Sequence, residues 1–104
     1  MDIVLQAEAP PLREDGSGGL RIGSSRVLLE LVIHAFEDGA TPEAIAQSYP
    51  TATLADIYSV LAYFLRHQEE IGAYLARREQ KAEEVRRRIE SGQPDLTELR
   101  KRLG

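Results

Sequence analysis

The sequence predicts a small α+β protein, mostly α, with an N-terminal β unit, a three-helix core and a helical C-terminal arm. Three observations carry that prediction. Before Val27, short apolar stretches are separated by glycine-rich turns. Between Leu28 and His67, apolar residues recur at spacings of three and four. Beyond Gln68, Glu, Arg, Ala and Gln dominate and apolar residues thin to a narrow stripe. The expected division is residues 1–68 for the β unit and core, and 69–104 for the arm.

In the β unit, Leu12-Arg13 and Leu20-Arg21-Ile22 flank Glu14-Asp15-Gly16-Ser17-Gly18-Gly19, a composition suited to a hairpin loop. Ile3-Val4-Leu5 is a short apolar run, and Pro10-Pro11 breaks any helix after it. A second turn at Gly23-Ser24-Ser25 leads into Arg26-Val27-Leu28. So small a sheet needs helices or a second copy to pack against.

The first helix runs from Leu28 to Glu37 and aligns Leu29, Val32, Ile33 and Phe36. Asp38-Gly39 ends it, with Gly39 in the position of a left-handed cap. Thr41-Pro42-Glu43 opens the second helix, as an acceptor for free N–H groups, a first-turn proline and a residue opposing the helix dipole. It spans about Pro42 to Ser48, buries Ile45 with Ala46 and Tyr49, and is closed by Pro50. Thr53 caps the third helix, with Asp56 three residues on. Its expected apolar face is Leu54, Ile57, Tyr58, Leu61, Phe64 and Leu65, up to His67.

The arm places Ile71, Leu75, Ala82, Val85 and Ile89 on one helical stripe, closer to a helix–helix seam than to a globular core face. Ser91-Gly92 closes that helix, and Pro94-Asp95 opens a short last one lined by Leu96, Leu99 and Leu103. The stripe either packs back on the core or serves as a partner-binding surface formed by Ile71, Leu75, Ala82, Val85, Ile89, Leu96 and Leu99.

With 104 residues, one small domain and a tail are the expectation. There is no cysteine, hence no disulfide framework and no thiolate zinc site. No apolar stretch approaches the ~20 residues of a membrane span, and the start lacks the pattern of a signal peptide, so a cytoplasmic protein is expected. The net charge of −4 disfavours loose, purely electrostatic binding of nucleic acid. No catalytic constellation, cofactor motif or metal site is legible. His34 and His67 each have a glutamate three positions on, Glu37 and Glu70, but neither belongs to an HExxH pattern. Asp15-Gly16-Ser17-Gly18 lacks the later ligands of a calcium loop.

The second and third helices, joined by Tyr49-Pro50-Thr51-Ala52, have the order of a helix-turn-helix. In such a unit the start of the third helix reaches base edges. Its outward residues are Thr51, Thr53, Ala55, Asp56, Ser59 and Tyr63, with Arg66 the one cation nearby. Arg and Lys dominate guanine and phosphate contacts. Arg13, Arg21 and Arg26 of the β unit are the candidate phosphate ligands. The competing reading is a packed helix pair that reads no DNA. The DNA-facing set is thus Arg21, Arg26, Thr51, Thr53, Ser59, Tyr63 and Arg66.

The stretch Leu20 to Tyr63 resembles a bacterial family known as a domain of unknown function, number four hundred and thirty-three, whose members are described as VapB-type antitoxins. The resemblance lies in Arg21-Ile22-Gly23-Ser24-Ser25-Arg26-Val27, Gly39-Ala40-Thr41-Pro42-Glu43-Ala44-Ile45-Ala46, Tyr49-Pro50, Thr53-Leu54-Ala55-Asp56-Ile57-Tyr58 and Leu61-Ala62-Tyr63. The family prefers Gly-Thr where this chain has Ser24-Ser25, and leucine where Ala52 stands. The resemblance implies a homeodomain-like or winged helix-turn-helix antitoxin that neutralises a PIN-like ribonuclease toxin and binds its own operator DNA. A homodimer is expected, through the β unit or the long helix. The alternative is a protein-interaction adaptor whose helix-turn-helix reads no DNA.

Overall fold

The computed structural model describes residues 2–92, so Leu96, Leu99 and Leu103 lie outside the described residues. The element order is β1 (Leu12–Glu14), β2 (Leu20–Ile22), α1 (Leu29–Glu37), α2 (Pro42–Ser48), α3 (Leu54–Arg66) and α4 (Gln68–Gly92). The fold is α+β and mostly α, as the sequence predicts. The chain divides into two compact units, Met1–Ile71 and Gly72–Gly104.

β1 and β2 pair antiparallel, with Leu12 opposite Ile22, Arg13 opposite Arg21 and Glu14 opposite Leu20. The hairpin loop is organised by one carboxylate. Asp15 Oδ1 accepts from Ser17 N and Ser17 Oγ at 2.9 Å and from Gly19 N at 3.0 Å. Its second oxygen, Oδ2, accepts from Arg21 Nε at 3.0 Å. These hydrogen bonds favour the charged form and hold the Asp15 carboxyl well below its ordinary range. On the far side of β2, a turn returns the chain so that Ile22 N donates to Val27 O at 3.0 Å and Arg21 bridges to Leu28. Buried Ser25 builds that turn, donating from Oγ to Ile22 O at 2.6 Å and accepting from Val27 N at 3.2 Å. Ile3, Val4 and Leu5 lie outside the sheet and are exposed.

The three core helices begin and end where their caps dictate. Gly39, at φ +99°, completes a Schellman ending for α1, in which Gly39 N donates to Phe36 O and Ala40 N to Ala35 O, each at 3.0 Å. Thr41 Oγ1 accepts from Ala44 N, and Thr53 Oγ1 from Asp56 N, each at 3.1 Å. The core is formed by Ile22, Val27, Leu29, Val32, Ile33, Ile45, Ala52, Ile57, Val60 and Leu61, with Ile71 from the first turn of α4. α1, α2 and α3 pack on one another, and β2 lies against α1 and α3.

The buried face of α3 differs from the expected one. Ile57, Val60 and Leu61 are buried and Phe64 is half-buried, whereas Leu54, Tyr58 and Leu65 are exposed. Leu54, Tyr58 and Leu65 form their own stripe at spacings of four and seven, rotated about a quarter-turn from the core. Periodicity is satisfied by both stripes, and the packing of α1 and β2 selects the one containing Val60.

Candidate nucleic-acid and partner interface

The α2–α3 pair is joined by Tyr49–Thr53, and at its turn Ala52 is buried with its N–H donating to Tyr49 O at 3.0 Å. Tyr58 Oη donates to Glu43 Oε1 and ties the middle of α3 to the start of α2. That bond stabilises the Glu43 anion and lowers its pKa. It also holds the proton on Tyr58, whose pKa is raised by the bond, by desolvation and by the negative charge of Glu43. The sequence places Glu43 at a helix start and Tyr58 on an apolar face but does not pair them, because they are fifteen residues apart and meet only through how α2 crosses α3.

Of the DNA-facing candidates, Thr51, Thr53, Ser59 and Arg66 are exposed. Thr53 also carries the α3 cap, so its hydroxyl oxygen already accepts one backbone bond. Tyr63 is half-buried, and its ring stacks on His67 with centroids 4.1 Å apart. The arginines of the β unit differ sharply from one another. Arg21 is engaged on two sides, by Asp15 Oδ2 and by the carbonyl oxygen of Arg26, and its side chain is partly buried. Arg13 donates to the carbonyl oxygen of Gly23. Arg26 is exposed on the turn that Ser25 builds. The structure therefore gives Arg13 and Arg21 structural work inside the hairpin. Asp15, which organises this work, carries a local signal in the Asp-Gly-Ser order, since Asp side chains cap the N–H two residues on.

β2, α1, α2 and α3 form one continuous piece of chain around a single core. Residues 16–64 match DUF433, a protein of unknown function. No curated protein and no solved structure matches the chain. The DUF433 segment contains Asp15's loop partners, the Ser25 turn, both helix caps and the Glu43–Tyr58 bond. It also sits in the acidic part of the molecule. Residues 1–71 carry eleven carboxylates against four arginines, a net −7, whereas residues 72–104 carry nine cations against six carboxylates, a net +3.

Along α4, Ile71 is buried and belongs to the core, which corrects its expected place on a partner surface. Leu75 is half-buried, Ala82 is exposed, and Val85 and Ile89 are 45% and 50% exposed. Arg87 pairs with Glu83 one turn before it, at 3.6 Å. The two histidines make exposed i,i+3 contacts, His34 with Glu37 at 4.0 Å and His67 with Glu70 at 3.5 Å. No cluster of three or more metal-ligating side chains occurs among the described residues, and no helix among them is long and apolar enough to cross a membrane.

Proposed function

We propose that this chain is a non-enzymatic, antitoxin-like regulator whose α2–α3 pair acts as a helix-turn-helix on its own operator DNA and whose C-terminal arm engages a PIN-like ribonuclease toxin. The observation that carries this reading is the capped α2–turn–α3 unit, in which Thr51, Thr53, Ser59 and Arg66 are exposed. Its order and polarity suit a helix that presents its first turns to base edges. The DUF433 match over residues 16–64 supports the same reading, as does the resemblance of Leu20 to Tyr63 to a family whose members are described as VapB-type antitoxins. A two-fold homodimer would place two such units on one duplex and bring β1, with its open edge, against a second copy.

A second reading is favoured by charge. The net −7 on residues 1–71 repels phosphate, and two of the four arginines there are held by the hairpin. A protein-interaction adaptor that has the helix pair but reads no DNA fits that balance. Gel shifts of the full chain on the DNA upstream of its gene, taken from low to physiological salt, separate the two. Binding that falls steeply with salt supports the regulator; no shift even at low salt removes DNA from the function and leaves the adaptor.

A further inference from the structure

The hairpin has one covered edge and one open edge. Beyond β2, Ile22 N donates to Val27 O at 3.0 Å and Arg21 bridges to Leu28, so that edge is paired. At the two ends of the hairpin ladder, Asp15 N donates to Gly19 O at 3.0 Å and Gly23 N to Pro11 O at 2.7 Å. By the alternation of an antiparallel ladder, the backbone polar groups of Pro11, Arg13 and Asp15 then face β2 and those of Leu12 and Glu14 face outward. Leu12 N donates locally to Pro10 O at 2.7 Å, so the edge offers the Leu12 carbonyl and both groups of Glu14. Among the described residues no strand pairs with this edge. Such an edge is a template for an added strand.

The same chain carries an apolar stretch with no sheet. Residues 2–9 are exposed and lie in no helix or strand, and within them Ile3, Val4 and Leu5 are 67%, 82% and 90% exposed. Their own β1 is a poor place for them. Pro10 and Pro11 fix their own φ and keep the residues before them extended, so a chain reversal falls within residues 6–9. That reversal sets Leu5 against Pro10 and Val4 against Pro11, neither of which has an N–H, and brings only Ile3 up to Leu12. Pairing β1 with β1 of a second copy is poor as well. Centred on Arg13 it faces Arg13 with Arg13, centred on Glu14 it faces Glu14 with Glu14, and centred on Leu12 it sets Glu14 against Pro10.

Resting on the homodimer of the regulator reading, we propose that residues 3–5 of each copy add as a strand to the β1 edge of the other copy. With Val4 opposite Arg13, Ile3 and Leu5 take the positions that bond to the outward backbone groups of Leu12 and Glu14. The pleat then turns Ile3 and Leu5 to the face of half-buried Leu12 and fully buried Ile22, and Val4 to the face of Arg13 and Arg21. The added residues carry no side-chain charge to set against Arg13 or Glu14. The exchange covers the open edge and takes Ile3 and Leu5 out of water.

The chain has no cysteine, so a pair introduced at Val4 and Arg13 reports on this contact alone. V4C/R13C, oxidised and run on a non-reducing gel, should give a covalent dimer. A cross-linked monomer would place residues 3–5 on their own chain and overturn the proposal. No cross-link from a chain that sediments as a dimer removes the strand exchange and keeps the homodimer, whereas monomer at every concentration removes both. Substitutions in residues 3–5 leave the hairpin itself intact and give a second measurement. By sedimentation, I3D/L5D should raise the dimer dissociation constant at least about tenfold, while V4D, on the arginine face, should stay within about threefold of wild type. Equal losses from I3D/L5D and V4D, or no loss from either, would overturn the strand. Melts at concentrations where monomer prevails should be unchanged, since all three residues lie outside the core. A loss of monomer stability would instead return these residues to their own core and overturn the exchange.

Discussion

The Asp56 carboxylate, from the first turn of α3, closes over the Cα of Gly23, where a Cβ would lie 2.4 Å from Oδ2. Gly23 also sits at φ +55° and donates its N–H to Pro11 O at 2.7 Å, so three segments meet there: the N-terminal stretch, the turn after β2 and α3. Gly23→Ala should destabilise the fold by about 1–2 kcal/mol, from left-handed backbone strain plus displacement of Asp56. Adding Asp56→Ser should recover the steric part and leave the backbone part. Urea midpoints of the single and double variants measure the split; full recovery in the double variant would mean that the backbone strain is negligible.

Thr53→Ala should cost about 1 kcal/mol, because the Asp56 N–H at the start of α3 loses its acceptor. Thr53→Ser keeps the hydroxyl and should remain within about 0.5 kcal/mol of wild type. If both variants also shift operator preference in gel shifts, Thr53 faces the bases as well as capping the helix.

Acid should act through Asp15. Its folded pKa is depressed by the bonds from Ser17, Gly19 and Arg21, so the stability it contributes is fully present above its unfolded value of about 3.9 and is lost as pH falls toward the folded value. Asp15→Asn lacks this charge at every pH. The stability gap between wild type and the variant should be widest at neutral pH and narrow progressively as pH falls below about 4. Thermal melts across that range test it, and a gap independent of pH would show that the charge is immaterial to the loop.

The two stripes of α3 should respond oppositely to truncation. Ile57→Ala, at a fully buried position, should cost about 2–5 kcal/mol, and Leu65→Ala, on the exposed stripe, should stay within about 0.5 kcal/mol. Denaturation of each variant at low protein concentration gives the comparison. A large loss for Leu65→Ala that grows on dilution would place that stripe in an interface between copies.

On the proposed operator-binding function, Arg26→Ala should weaken binding uniformly across sequences and flatten its salt dependence, as expected for an exposed phosphate ligand, while Ser59→Ala should alter sequence preference instead. Arg21→Ala should lower stability first, since its guanidinium holds the Asp15 loop and the Arg26 carbonyl. Melting curves beside the gel shifts tell these effects apart.

The sequence by itself determined the elements. Thr41-Pro42, Thr53, Gly39 and the Asp15 loop act on backbone groups a few residues away, so their effects need no knowledge of the rest of the fold. The tertiary structure decided what those elements present to one another and to solvent. The apolar residues of α3 span more of the helix surface than a core can cover, and only the approach of α1 and β2 chose Val60 over Leu54, Tyr58 and Leu65. The Glu43–Tyr58 bond, the closure of Asp56 over Gly23 and the capture of Arg13 and Arg21 by the hairpin join residues five to thirty-three positions apart. Such contacts depend on the three-dimensional path of the chain, which neither spacing nor local propensity encodes.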